Sequence, residues 1–447
     1  MKIIIIGGVA AGMSAAAKAG RINKDAKITI YEKTGVVSWG ACGLPYFVGD
    51  FFSDSSVMIA RAAEDFIKSG MDLRINHEVI SVDPEKKVIK VKNLNNGAIF
   101  EDTYDKLMIA TGAHAIIPPI KNAALENVST LKDFTDGTTV KNIAMNEEIQ
   151  NIVIIGAGYI GLETVEAMYH LNKKSIRIIQ HSERILNESF DSEITDIFQN
   201  EISSYKNISL HLSESAIEFK DVNGKVSEVI TSKGAYPCDL VIIATGIRPN
   251  TAFLKDTGVN MLPNGALIID NHGMTSIDSI YSAGDCATTF HLVSKQNAYI
   301  PLATTANKIG RVVGENLAGL DTTFKGSLGS ACVKIMKMEG ARTGITEGEA
   351  KKLGLNYKTV FVKDKNQTGY YPGQHDIWVK LIYDADTRII LGGQIAGKKG
   401  AVLRADTLAT AITCKMTVDD LGMLDLCYSP PFARTWDVLN VAGNVAK

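Results

Sequence analysis

Cys42, set between glycines in SWGACGLPY at residues 38–46, is the residue of this sequence best suited to redox or nucleophilic chemistry. The other cysteines, at 238, 286, 332, 414 and 427, lie far from it and form no CxxC pair. That spacing argues against a disulfide framework or a zinc cluster, and the eight histidines are equally scattered, so no metal site is expected. The ordinary fate of a lone cysteine is that of a small buried hydrophobe. What surrounds Cys42 points elsewhere.

Two glycine-rich loops flank it in sequence. KIIIIGGVAAGMSAAAKAGRI followed by ITIYEK reads as strand, glycine turn, helix and second strand. In a dinucleotide fold such a turn brings backbone N–H groups to a pyrophosphate at the helix start, and an acid about 20 residues on holds a ribose hydroxyl. Gly7, Gly8, Val9, Ala10, Ala11 and Gly12 make the turn, with Val9 where a full fingerprint has its middle glycine; Glu32, followed by Lys33, lies 20 positions after Gly12. NIVIIGAGYIGLETVEAMYHL is a second, complete fingerprint: Gly156, Gly158 and Gly161, with Tyr159 and Ile160 opening the helix. One such motif is weak, since glycines mark many turns; two in strand-turn-helix context imply two dinucleotides.

Further strands end in the same way. LMIATGAH closes on Ala110, Thr111 and Gly112, LVIIATGIRPN on Gly246, and SIYSAGDCA on Gly284 and Asp285, which puts a carboxylate at the sheet edge where ligands bind. The alternation of Val/Ile-rich runs with Ala-rich stretches predicts an α/β fold of two or three domains. A net charge of -2 gives no footprint for nucleic acid or a membrane surface. The apolar start is too short for a signal segment, no run approaches the roughly 20 residues of a membrane span, and a cytoplasmic protein is expected.

These fingerprints, the ATG segments, the AGD strand end and PLATTANKIGRVVGENLAG at 301–319 resemble the FAD-dependent pyridine nucleotide-disulfide oxidoreductases along the whole chain. The resemblance implies two Rossmann-like domains, as in glutathione reductase, and an α+β dimerisation domain. The FAD domain would span 1–112 and 245–322, the NAD(P)H domain 113–244 and the dimerisation domain 323–447, in a homodimer. Glu32 would hold the FAD adenosine ribose and Asp285 the ribityl chain, with Val79, Thr111, Lys132 and Ala303 as further FAD contacts. Tyr159 would cover the flavin until nicotinamide displaces it. Gln180 stands where many relatives carry an acid for the ribose of NADH, and with His181 and Arg184 nearby both NADH and NADPH stay open.

In the glutathione reductase branch a CxxxxC pair supplies an internal disulfide; here position 37 is Val37. The second atom of the oxidised form must then come from outside, as a sulfenic oxygen or a small thiol. A helix N-terminus at Cys42 is expected to lower the thiol pKa and supply the thiolate. The single-cysteine branch contains NADH oxidases, NADH peroxidases, coenzyme A-disulfide reductases and persulfide reductases. Ala10 stands where its oxidases and peroxidases commonly carry a histidine, and CGLPYF resembles the coenzyme A-disulfide reductases, with Pro45 and Tyr46 after the cysteine. TGYYPGQ at 368–374 and LCYSPPFARTWD at 426–437 resemble the segments that present tyrosines to the partner's active site, matching Tyr371, or Tyr370 in the alternative register, and Tyr428. Ordinary interface packing is the other reading of those tyrosines. Lys18 and Arg21 share a helix face that similar enzymes use for coenzyme A, Ser38 is another matched position, and Arg61 is a weaker candidate.

The resemblance thus implies reduction of coenzyme A disulfide, or a related small disulfide or persulfide, through a Cys42–coenzyme A mixed disulfide. NADH oxidation by oxygen through a Cys42 sulfenic acid is the alternative. A flavin-based redox sensor ranks third, since the sequence has no low-complexity interaction segment. No sulfur-transferase segment is expected after residue 447, and persulfide delivery is then expected to need a separate protein.

Overall fold

The computed structural model describes residues 1–446. Its first sheet is all parallel, in the order Ile280–Ser282, Lys106–Ile109, Lys2–Ile6, Lys27–Tyr31, Asp72–Arg74. The strand KIIII is buried from Ile3 on, as a parallel strand covered on both faces must be. Helix Ala10–Ile22 packs on helix Ala303–Leu317 at very short range. A Cβ on Gly310 would fall 2.5 Å from the carbonyl oxygen of Ala11, and one on Gly314 2.5 Å from that of Ala15. Gly310 and Gly314 of the second helix are what allow this approach, set against the small side chains of Ala11 and Ala15.

A second parallel sheet runs Ile208–Leu212, Ser175–Gln180, Asn151–Ile155, Leu240–Ile243, Val128–Thr130, with helix Tyr159–His170 after its central strand. The chain passes between the two units twice, and the passing segments Ala113–Ala115 and Ile247–Pro249 pair as antiparallel strands. Asn250 ties them further, its side chain donating to Thr111 O at 3.0 Å while its carbonyl accepts from Thr111 Oγ1 at 2.7 Å. The C-terminal part is a five-stranded antiparallel sheet, Ala331–Ile335, Met338–Gly344, Ile390–Gly397, Asp376–Asp384, Tyr357–Lys365, packed against helix Ala401–Thr413. Two Rossmann-type α/β domains and a separate α+β domain are therefore present.

The second unit and the C-terminal sheet are locked by buried polar contacts. Lys380, 1% exposed, places its ammonium 2.8 Å from both oxygens of Glu193, 2.6 Å from Glu347 and 3.5 Å from Asp191. Lys334 pairs with Glu166 across the same boundary. No described helix is long and apolar enough to cross a membrane.

Candidate active site

Both parallel units carry the same device at the end of their first strand. Gly7 and Gly156 take φ of +107° and +103°, open to glycine at little cost. A Cβ on Gly12 would lie 1.9 Å from the Gly7 carbonyl oxygen, and one on Gly161 2.1 Å from that of Gly156. The helices that follow, Ala10–Ile22 and Tyr159–His170, start without a side-chain cap or an acid in the first turn. Helices Phe134–Ala144, Glu347–Lys352, Val418–Gly422 and Val438–Val445 all have capping boxes instead. Helix Ala303–Leu317 also begins uncapped, at Ala303. Uncapped N–H groups over a glycine cradle suit a pyrophosphate, and the two helices that follow the glycine loops fit two dinucleotides.

At the end of the second strand, Glu32 is buried and accepts from Gly8 N–H at 2.7 Å and from Thr34 N–H and Oγ1 at 2.7 and 2.8 Å. Gln180 occupies the matching place and accepts from Ala157 N–H at 3.1 Å. Lys33 is exposed, and Val79 puts its side chain into the first core, leaving only its main chain for a ligand. Gly112, Gly246 and Gly284 all have positive φ, and Asp285 pairs with Lys132 at 3.1 Å.

Cys42 is exposed, on the single turn Ala41–Gly43 that leads into helix Leu44–Val48. Its thiol pKa is raised, first by burial of the sulfur and then by the carboxylates of Glu163 and Asp285, against a smaller opposing effect of Lys132. This corrects the expectation of a lowered pKa. The helix after Cys42 has five residues, and one short turn does not outweigh two nearby acids.

Glu163 is the residue that sequence reasoning missed. Burial, with Glu166 adding repulsion, lifts its carboxyl to about 7, while Tyr46 stabilises the ionised form. It lies one helical turn after Tyr159, whose hydroxyl is buried without a partner in bonding geometry, Ser189 being close by. Spacing of four from the gate tyrosine was the available signal. The orphaned hydroxyl fits a ligand group arriving from outside the chain.

Tyr370 and Tyr428 share a hydrogen bond at 3.2 Å and are both exposed. Tyr371 is not part of that pair; its N–H donates to Thr368 O, and its carbonyl accepts from Gln367. Lys18 is tied to Glu315 at 2.8 Å, whereas Arg21 is exposed. Arg61 lies over the Phe66 ring and donates to Asp65 O, a local role. Ser38 has φ +50°, its N–H donating to Gly8 O, and so sits beside the first glycine loop.

Two dinucleotide cradles and an exposed lone thiol in one chain suit a flavin-dependent nicotinamide oxidoreductase. Residues 1–310 match the family model for pyridine nucleotide-disulphide oxidoreductase, and residues 330–438 that for its dimerisation domain. The chain belongs to this family, in its coenzyme A-disulfide reductase/NADH oxidase group, and is an FAD-dependent NAD(P)H:disulfide oxidoreductase that pairs as a homodimer. It is 38% identical over 447 residues to an NAD(P)H sulfur oxidoreductase (CoA-dependent) of Pyrococcus furiosus, covering 100% of this chain and 99% of the relative. An NAD-dependent persulfide reductase from A. fulgidus superposes with TM-score 0.94 at 34% identity, covering 100% of this chain and 83% of that one. The water-forming NADH oxidase from Lactobacillus brevis does so with TM-score 0.94 at 32% identity, covering 99% and 97%.

Proposed function

We propose that the enzyme reduces coenzyme A disulfide, or a related small disulfide or persulfide, through a Cys42–coenzyme A mixed disulfide. The observation that carries this reading is an exposed, unpaired Cys42 in a chain that presents two mutually bonded tyrosine hydroxyls. FAD would be held by 1–112 and 245–322, through Gly7 to Gly12, Glu32, Thr111, Lys132, Asp285 and Ala303; NAD(P)H would be held by 113–244, through Gly156 to Gly161, Gln180 and Gly246; and 323–447 would form the dimer. Bound FAD would supply hydride acceptance from NAD(P)H and an electron pair for the sulfur. The Cys42 thiolate attacks one sulfur of the disulfide, forming Cys42–S–S–CoA and expelling one coenzyme A thiolate. Two electrons then break the mixed disulfide, returning the Cys42 thiolate and a second coenzyme A thiolate. Tyr370 and Tyr428, contributed by the partner subunit, would protonate the departing sulfur; Tyr428 is held below the usual phenol range by hydrogen bonds from Tyr370, Thr368 and Thr435.

A second reading, NADH oxidation by oxygen through a Cys42 sulfenic acid, is favoured by likeness to the NADH oxidases of Lactobacillus brevis and Enterococcus faecalis, the latter 33% identical. Ala10 offers no proton donor in the first loop. Reduced enzyme is mixed anaerobically with coenzyme A disulfide and, separately, with oxygen. Reoxidation of the flavin by the disulfide supports the first reading; rapid reoxidation by oxygen alone, giving water, overturns it. Mass analysis of Cys42 gives a companion readout, an adduct of coenzyme A mass or added oxygens.

A further inference from the structure

We propose that Lys141 is a positioning residue for the reaction, a cationic strap that fixes the short helix after Cys42 to the second parallel unit and so sets where the sulfur stands for electron transfer. The inference rests on the reading of Cys42 as the redox thiol. By sequence the segment 39–58 belongs to the first unit, but its apolar residues face the second. Leu44, Phe47 and Val48 share one buried core with Val140 of helix Phe134–Ala144 and with Val165 and Met168 of helix Tyr159–His170. The approach is close. A Cβ on Gly137 would fall 2.4 Å from Leu44 Cδ2, and one on Gly49 2.8 Å from Ala167 Cα. The link from thiol to helix is short as well, Leu44 N–H donating to Ala41 O across the Cys42 turn.

One side chain closes the far end of that helix. The Lys141 ammonium donates to Phe47 O at 2.8 Å, Asp50 Oδ1 at 2.7 Å and Phe52 O at 3.1 Å, and lies 4.3 Å from the centre of the Phe47 ring. An ammonium has three N–H donors, and acceptors from residues 47–52 use them all. A surface lysine keeps its head in water; the Lys141 side chain is 11% exposed and gives its charge to this segment instead. A second contact comes from the neighbouring helix. His170 Nδ1 donates to Gly49 O at 2.7 Å, and its ring stacks on Phe51 with centroids 4.1 Å apart. Helix Tyr159–His170 thus begins at the second glycine loop and ends on the segment that carries the thiol. Lys141 is not among the leading charges that act on the sulfur, which are Glu163, Asp285 and Lys132. Its influence on Cys42 is through position.

The test is Lys141→Met in the holoenzyme, which removes all three bonds. Anaerobic reduction of the flavin by NADH should stay within about twofold of wild type, since the glycine loops are unaltered. Reoxidation of the reduced flavin by coenzyme A disulfide should slow about ten- to a hundredfold. Alkylation of Cys42 by iodoacetamide should become faster, its midpoint moving to lower pH, because burial is the largest influence holding the thiol up. Asp50→Asn keeps an acceptor on a backbone of φ +57° that asparagine tolerates, and loses only the charge. It should move reoxidation and alkylation the same way by about two- to fivefold, and it is read by the same criteria if Lys141→Met does not fold. An unmoved alkylation profile, reoxidation at the wild-type rate, or reduction slowed as much as reoxidation overturns the assignment. Failure of coenzyme A disulfide to reoxidise the wild-type flavin counts against the proposed acceptor alone, and the alkylation profile then decides the role of Lys141.

Discussion

Replacing Glu163 by glutamine keeps the shape of a side chain whose ionised form the fold disfavours. Burial, then repulsion from Glu166, raises this carboxyl from 4.5 to about 7. The folded protein thus binds the proton more tightly than the unfolded chain, so this group destabilises the fold progressively as pH rises from 4.5 to about 7 and fully above it. The span corresponds to ~3 kcal/mol. Glu163→Gln removes that term, so wild type and variant should melt alike near pH 4.5 and diverge upward. At pH 8 the variant should gain roughly 6–12 °C, for a melting unit of 150–250 residues. Thermal scans of the flavin-loaded protein from pH 4.5 to 8 measure the difference. A second readout is the pH profile of Cys42 alkylation, because ionised Glu163 is one of the two acids that hold the thiol up. In the variant it should move to lower pH. Parallel melting curves together with an unmoved alkylation profile would refute the placement of Glu163 in this electrostatic group.

Lys380→Met leaves three carboxylates facing each other without their cation, and about 1–2 kcal/mol of stability should be lost, less than for a fully buried pair because Glu193 and Glu347 are each 37% exposed. The loss should be larger at pH 8 than at pH 5 in thermal scans, since Glu193, which burial alone would raise, owes its lowered pKa to Lys380. Tyr370→Phe and Tyr428→Phe should each reduce disulfide turnover by about a hundredfold, with Tyr371→Phe changing it much less; equal effects at 370 and 371 would show that the hydroxyl pair is not the proton source. Gly12→Ala drives a methyl into the Gly7 carbonyl, and the purified variant should lack the flavin absorbance of wild type.

The parallel sheets were legible in the sequence because a strand buried on both faces writes an uninterrupted apolar run, and because only glycine satisfies the contacts at Gly12 and Gly161. Lys380 was not legible. A lysine inside the strand DIWVKLIYD reads as a solvent-facing residue, and its three acids, Asp191, Glu193 and Glu347, lie at separations no sequence pattern links, Glu193 187 positions away and Glu347 33. The tyrosine register was open for a related reason: adjacent tyrosines in a glycine- and proline-bounded loop have no period to say which side each takes. The contact of Tyr370 with Tyr428, 58 positions away, forms only once the loops fold together.

The expectation for Cys42 failed in a more instructive way, because the helix start was foreseen and the sign of the result was not. A short turn offers partial positive charge over about one turn of chain. The acids that oppose it come from the far sheet edge, Asp285, and from the second nucleotide unit, Glu163, so the thiol reports on both cofactor domains at once. Asp285 is already neutralised in part by Lys132, which leaves Glu163 as the adjustable partner: below about 7 it is neutral and ceases to repel a thiolate. Cys42 and Glu163 therefore titrate as interacting sites, and ionising the sulfur favours proton uptake by the carboxyl.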